Sequence, residues 1–309
     1  MELIRRLTAA RAPRCERVIT IGTFDGVHLG HQALIARVLE HSANSGLQAA
    51  LVSFEPMPRE YLKPEAAPPR LTNFRERWHV LDALGLDVFC QLAFDERLRS
   101  QSGAEFFDAL VAWGARHVVI GHDFRFGRGG AADAQWCRSQ AAALGIAVEV
   151  IEPVLLDGQR VSSGLVREAL ALGQFARAAR WLGRPYAMRG RVLQGKQLGR
   201  TLGFPTANLA LKRRRAALSG IFAARVSGPG ILGWPAVASL GTRPTVAGVE
   251  PLLEVHLFDW GGSLYGAEIE VEFVGKLRDE EKFESLPLLV AQMQRDAVQA
   301  RALLEAQDR

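Results

Sequence analysis

The chain has 309 residues, 48% hydrophobic and 23% charged, an ordinary globular balance with room for two domains. A net charge of +5 suits anionic substrates without demanding nucleic acid. Three scattered cysteines (Cys15, Cys90, Cys137) exclude a disulfide framework or a metal knuckle; an N-terminus without an apolar core and no bilayer-length apolar run predict a soluble, cytoplasmic protein with no membrane partner.

Short apolar runs at 18–21, 48–54, 88–92, 117–120 and 147–151 alternate with helical patterns at 31–43, 73–84, 103–113 and 132–144. That alternation predicts an α/β domain with a parallel sheet, whose ligands bind beyond the carboxyl ends of the strands. Gly22-Thr-Phe-Asp-Gly-Val-His-Leu-Gly-His31 occupies such an end, between the first strand and its helix. Glycines let backbone approach a ligand, and a helix N-terminus offers free N–H groups to an anion. His28 and His31 can both face that space, which suggests phosphate chemistry. A capped corner and a zinc site are the competing readings, and zinc would want further His or Cys at ligand spacing nearby.

Three more stretches sit at comparable positions. Phe54-Glu-Pro-Met-Pro-Arg59 follows the second strand, and Gly121-His-Asp-Phe-Arg-Phe-Gly127 follows the fourth. Val161-Ser-Ser-Gly-Leu-Val-Arg167 opens a helix, with Ser162 or Ser163 as natural cap and Arg167 a turn later, a combination suited to phosphate. Helical signals continue to Leu182 and break at Gly183-Arg-Pro185, which places the domain boundary between residues 184 and 185.

Beyond it the texture turns to β, with runs at 187–193, 220–227, 234–239, 252–258 and 268–274, then a helix over 286–305. A small antiparallel barrel with a terminal helix is expected. Lys212-Arg-Arg-Arg215 reads as a solvated loop. Gly195-Lys-Gln-Leu-Gly-Arg-Thr-Leu-Gly-Phe-Pro-Thr-Ala-Asn208 has the glycines and cations of a phosphate cradle, although it is not a P-loop. Thr206 and Asn208 share one face of an extended segment and offer hard oxygen ligands. A proline-fixed barrel loop is the bland alternative.

The first set of stretches, with Arg70-Leu-Thr72, resembles the adenylyltransferase module of the bacterial bifunctional riboflavin kinase/FMN adenylyltransferases (FAD synthetases) over about residues 15–184. That module belongs to the HxGH nucleotidyltransferases, with a Rossmann-like fold. The second half resembles the family's riboflavin kinase module over about 185–305, through Gly-Arg-x-x-Gly-Phe-Pro-Thr-Ala-Asn, Gly241-Thr-Arg-Pro-Thr245, Leu253 to Asp259, Leu264-Tyr-Gly266 and Leu277 to Leu286.

The resemblance implies one polypeptide with two ATP-dependent, Mg²⁺-assisted activities: riboflavin to FMN in the barrel, then FMN to FAD in the first domain. His28 and His31 would stabilise charge at the α-phosphate, and Gly22, Phe24, Asp25, Gly30, Ser162, Ser163 and Arg167 would hold ATP. Phe54, Pro56, Asp123 and Phe124 would sit by flavin or nucleotide. In the kinase, Thr206 and Asn208 would be the metal ligands and Glu254 the base for the ribityl 5′-hydroxyl. Gly195, Lys196, Gly199, Arg200, Gly203, Phe204 and Pro205 would line the phosphate or flavin loop.

Departures are Gly164 where the family usually has Thr, Met57 where it commonly has His, a looser segment at 128–133, and Ser239 where Asn is common. Loss of one charge-assisted hydrogen bond, worth ~1.5–3 kcal/mol, would slow adenylylation roughly ten- to a hundredfold. The alternatives are a riboflavin kinase with weak or lost adenylyltransferase activity, and a non-catalytic flavin-binding module. A synthetase-like enzyme acting on tRNA would want a lysine-rich loop where this chain has Ser162-Ser163-Gly164.

Overall fold

The computed structural model describes residues 1–8, 16–194, 199, 202–245 and 248–308. Gly195, Lys196 and Arg200 lie outside the described residues. Two compact units divide the chain: residues 1–68 with 77–162, and residues 69–76 with 163–309.

The first unit runs β1 (Glu2–Ile4), β2 (Arg17–Ile21), α1 (Leu29–Ser45), β3 (Gln48–Glu55), α2 (Pro58–Leu62), α3 (Phe74–Ala83, entered from the second unit), β4 (Val88–Ala93), α4 (Glu96–Ser100), α5 (Gly103–Ala112), β5 (Ala115–Gly121), α6 (Ala134–Ala143) and β6 (Ala147–Ile151). A hairpin, β7 (Leu155–Leu156) and β8 (Gln159–Arg160), follows. Among the described residues β1 to β6 form one parallel sheet in the order β1-β4-β3-β2-β5-β6. All of β2 is buried, as expected of a central parallel strand covered on both faces. Strand order reverses between β2 and β5, so the loops after these two strands open at the topological switch point. The edge strand β1 was not expected, because three residues are too few to show a period.

The second unit contains α7 (Ser163–Ala171) and α8 (Phe175–Leu182). Its strands are β9 (Ala187–Leu193), β10 (Ala207–Ala210), β11 (Gly220–Gly228), β12 (Ile231–Thr245), β13 (Gly248–Leu257) and β14 (Glu268–Arg278), and α9 (Leu286–Gln307) ends it. Among the described residues these strands close an antiparallel barrel in the order β10-β13-β12-β11-β14-β9. Inward and outward residues alternate along the first half of β14, the pattern of a strand with one core face. The sixth strand, β10, is four residues long and begins with the last two of the Pro-Thr-Ala-Asn stretch, Ala207 and Asn208, which the sequence marks only as extended chain.

Compactness places the division at Ser162/Ser163, earlier than the expected 184/185. The reason lies in α8, an amphipathic helix whose Phe175 packs against barrel residues Phe222 and Phe273 at ring-centroid distances of 5.8 and 6.2 Å. Residues 69–76 join the same unit through side-chain bonds. Tyr186 donates its hydroxyl to the Leu71 carbonyl (3.1 Å), and Asn73 Nδ2 donates to the Leu211 carbonyl (3.1 Å).

The solvated-loop reading of 212–215 needs correction at one residue. Lys212, Arg214 and Arg215 are exposed, but Arg213 is buried and donates to both oxygens of buried Glu76, at 2.5 and 2.6 Å. Burial pushes the Glu76 carboxyl above its usual range, while Arg213 and the N–H groups of Arg189 and Asn73 pull it back.

Candidate active sites

The turn after β2 is built from left-handed backbone. Phe24, Gly26 and Val27 have φ of 49°, 83° and 44°. Two of these carry side chains that resist such angles, so surrounding structure must hold them. Phe24 and Val27 are fully buried, and Asp25 is buried beside them. Gly22 and Gly30 serve close approach. A Cβ on Gly22 would meet the Phe24 ring at 3.1 Å, and one on Gly30 would meet the His28 ring at 3.2 Å and the Val161 carbonyl at 3.6 Å.

His28 is the N-cap of α1, its Nδ1 accepting from the His31 N–H at 3.4 Å. The two imidazoles stack with centroids 3.7 Å apart, and Phe24 lies 4.9 Å from His31. Burial, then His28, then Arg77 hold the His31 pKa well below the usual imidazole value, so this ring is neutral at pH 7. Its Nδ1 is buried with no hydrogen-bond partner among the described residues. A buried polar atom at a helix N-terminus, on the switch point, is a place for an anionic oxygen to be received.

The structure brings Gly22, Phe24, Asp25, His28, Gly30 and His31 into this one turn, with Val161, and so the start of the Ser162 segment, against it. The other N-terminal candidates fare differently. Phe54 is packed in the core between Phe94 and Phe106, with centroids 5.8 and 6.4 Å away, and exposes 9% of its surface. Pro56 follows it, and Met57 is buried at the start of α2. Phe124 stacks on Phe126 at 5.5 Å. Asp123 pairs with Arg160 of β8; burial works against its charge, but Arg160 and His122 leave the carboxyl below its ordinary range. Ser163 and Arg167 belong to the second unit, where Arg167 Nε donates to the Pro69 carbonyl at 2.6 Å.

In the barrel, register does the assembling. Asn208 of β10 and Ser239 of β12 both lie directly across from Glu254 of β13. Its neighbours Leu253 and Val255 are fully buried in the barrel interior. Glu254 therefore faces the other way, into a cavity of about 330 Å³ lined also by Phe204, Thr206, His256, Arg278 and Met293. A smaller cavity of about 150 Å³, bounded by Pro205, Trp260 and Tyr265, also touches Thr206. Thr206 thus lies on the wall of both. Gly199 admits no side chain, since a Cβ would lie 2.2 Å from the Phe204 carbonyl oxygen. Gly203 has φ of 82°.

A family model for FAD synthetase matches residues 11–165, and one for riboflavin kinase matches residues 182–304. The bifunctional riboflavin kinase/FMN adenylyltransferase of Pseudomonas fluorescens is 45% identical over 306 residues, 98% of each chain. That of Escherichia coli K12 is 40% identical over 97% of each. The chain belongs to the bifunctional riboflavin kinase/FMN adenylyltransferase family. A crystal structure described as a macrolide-efflux protein from Streptococcus pneumoniae has the same architecture, with a TM-score of 0.79 and 28% identity over 97% of this chain and 98% of that one. Among the described residues here, no helix is long and apolar enough to cross a membrane.

Residues not singled out in the sequence brace the two candidate sites. Arg77 is fully buried and donates to the Thr23 carbonyl (2.9 Å), Ser53 Oγ (3.4 Å) and Glu55 Oε2 (3.2 Å), tying the histidine turn to β3. In the larger cavity Arg278 donates to both oxygens of buried Asp296, at 2.7 to 3.1 Å, which fastens α9 to β14. His256, two residues from Glu254, sets Nδ1 2.9 Å from the Pro205 carbonyl and its ring 5.2 Å from Phe204. A charge inside an amphipathic helix gives no sequence signal of burial, so Arg77 and Asp296 were illegible; His256 could have been found from its spacing to Glu254.

Proposed function

We propose that the barrel phosphorylates riboflavin with ATP to give FMN, and that the first unit transfers AMP from a second ATP to FMN, giving FAD and pyrophosphate. The observation that carries the kinase reading is that Glu254 and Ser239, paired across β13 and β12, line one cavity with Thr206, which also lines the second, while Asn208 lies across from Glu254 on β10. One cavity per substrate, meeting at a hydroxyl, is the layout a phosphoryl transfer requires.

The larger cavity, with Ile221, Phe283, Leu289 and Met293 in its lining, suits the flavin ring; the smaller suits the nucleotide. Glu254 takes the proton of the ribityl 5′-hydroxyl as the hydroxyl oxygen bonds to the γ-phosphorus, whose bond to the β,γ-bridging oxygen breaks to release ADP. A carboxylate of ordinary basicity suffices, because that transition state is loose and the proton leaves late. The hydroxyl of Thr206, the amide oxygen of Asn208 and the carboxylate facing Asn208 form an all-oxygen donor set, which fits Mg²⁺. Thr206 and Asn208 would hold it with ATP, and when bound it neutralises phosphate charge. Gly199 and Phe204 line the larger cavity and Pro205 the smaller, with Gly203 beside them in sequence, and the family resemblance gives Gly195, Lys196 and Arg200 to the phosphates or flavin.

In adenylylation, an FMN phosphate oxygen attacks the α-phosphorus and pyrophosphate leaves. His28 and His31 stabilise the charge that develops on the α-phosphate, with the free N–H groups of α1 behind them. By the family resemblance Ser162, Ser163 and Arg167 would take the departing phosphates and Asp123 and Phe124 the flavin or base; Phe54, packed between Phe94 and Phe106, would support that site from the core with Pro56 next to it in sequence. The adenylylating module ends near residue 184 and the kinase module begins at 185. The enzyme works in the cytoplasm, where ATP and riboflavin meet.

Incubation with riboflavin, ATP and Mg²⁺, followed by separation of the flavins, tests this. FMN and then FAD are expected. Absence of FMN overturns the kinase assignment, and FMN without FAD overturns the assignment of the histidine turn.

A further inference from the structure

At the far end of α1 from the histidine turn lies a second histidine cluster, which lines neither of the barrel cavities. His31 and His41 are ten residues apart on one helix, about 15 Å along its axis at 1.5 Å per residue. His117 enters the sheet near the start of β5, and Glu149 lies on neighbouring β6. Parallel register pairs His117 with Ala147 and Val119 with Glu149, so His117 and Glu149 are diagonal neighbours on one face. His41 of α1 comes down on that face: its ring centroid is 3.9 Å from that of His117, and its Nε2 is 2.5 Å from Glu149 Oε2.

One ligand atom from each of His41, His117 and Glu149 lies within 4.8 Å of the others. The cluster is half-buried, which leaves it open to an ion from solvent. Two imidazoles and one carboxylate are the donor set of an open, three-ligand zinc site, with a water in the fourth position. Zn–N and Zn–O bonds of ~2.0–2.2 Å would draw these atoms, already within 4.8 Å of one another, onto a common ion. One feature opposes an ion. Arg37 donates to both oxygens of Glu149, at 2.9 and 3.2 Å, and brings a positive charge to the cluster. Arg37 also bonds Glu40, so it has a second carboxylate to hold when Glu149 turns to a metal.

We propose that His41, His117 and Glu149 form a binding site for Zn²⁺ or a divalent metal of similar softness, joining α1 to β5 and β6 at the amino end of the sheet. Arg37 is the competing cation that keeps its affinity moderate. Imidazole donors select zinc-like ions over the Mg²⁺ of the kinase reading.

Calorimetric titration of chelator-stripped full-length protein with Zn²⁺, with Co²⁺ absorbance as a second probe, reads the site without reference to activity. One saturable site per chain is expected. His41→Ala and His117→Ala each weaken it by ~10-fold or more. Glu149→Gln, which keeps the side chain's size, does the same, and Arg37→Gln tightens it. No saturable binding overturns the proposal. So does an isotherm unchanged in both histidine variants, which would put the ion elsewhere, for example on His28 and His31.

Discussion

Glu254 reaches its cavity because β13 has period two and its neighbours Leu253 and Val255 fill the barrel interior. Replacing it by Gln keeps the shape and removes the proton acceptor. Glu254→Gln is expected to lower FMN formation by ~10²–10⁴ while FAD formation from supplied FMN stays intact. Assaying the two steps separately decides, and a parallel fall in both would contradict the two-site reading. His31 is a different kind of residue, neutral through burial and useful through placement. His31→Ala is expected to cost adenylylation ~10²–10³ with the kinase untouched. An unaltered adenylylation rate would remove it from the site.

Elements were legible where their signal is local. Gly22 to His31 could be read as an anion corner because glycines, a helix start and two histidines fall within ten residues, and the fold places that corner at the switch point. The same is true of the parallel sheet and most of the barrel, whose apolar periods are long enough to count. What escaped depends on partners distant in sequence. β10 is a strand because β9 and β13 flank it, and its four residues carry no period of their own. Arg213 looked like one cation in a solvated run because the carboxylate that buries it is 137 residues away. The Arg278–Asp296 pair joins α9 to β14 by the same long-range logic. Asp296→Ala, by removing charge-assisted hydrogen bonds, is expected to destabilise the protein by about 1.5–3 kcal/mol. It should also raise KM for riboflavin more than it lowers kcat; urea unfolding and steady-state kinetics check the two halves.

At the scale of the whole molecule, residues 69–76 belong to the second unit although they fall within the span that the FAD synthetase model matches. A fragment starting at residue 163 or 185 carries the barrel but leaves Arg213 without the Glu76 carboxylate. Breaking a buried pair by removing one partner typically costs about 3–5 kcal/mol, far more than the intact pair contributes. A barrel fragment is therefore expected to unfold at lower urea than the same barrel in the full chain, and Glu76→Gln in the full chain should reproduce much of the loss. Tryptophan fluorescence from Trp234 and Trp260 follows the transition. Equal midpoints for fragment and full chain would show that the pair is dispensable.

The Glu76–Arg213 bond also sets a timetable. During synthesis Glu76 leaves the ribosome 137 residues ahead of the arginine that will neutralise it. At translation rates of ~5–20 residues per second, that is a wait of roughly 7–30 s. For that interval the nascent chain carries residues 69–76 as a tether awaiting its dock, between stretches of the parallel sheet that can already be pairing. The Glu76 carboxylate reaches its buried, paired state only once Arg213 has been made.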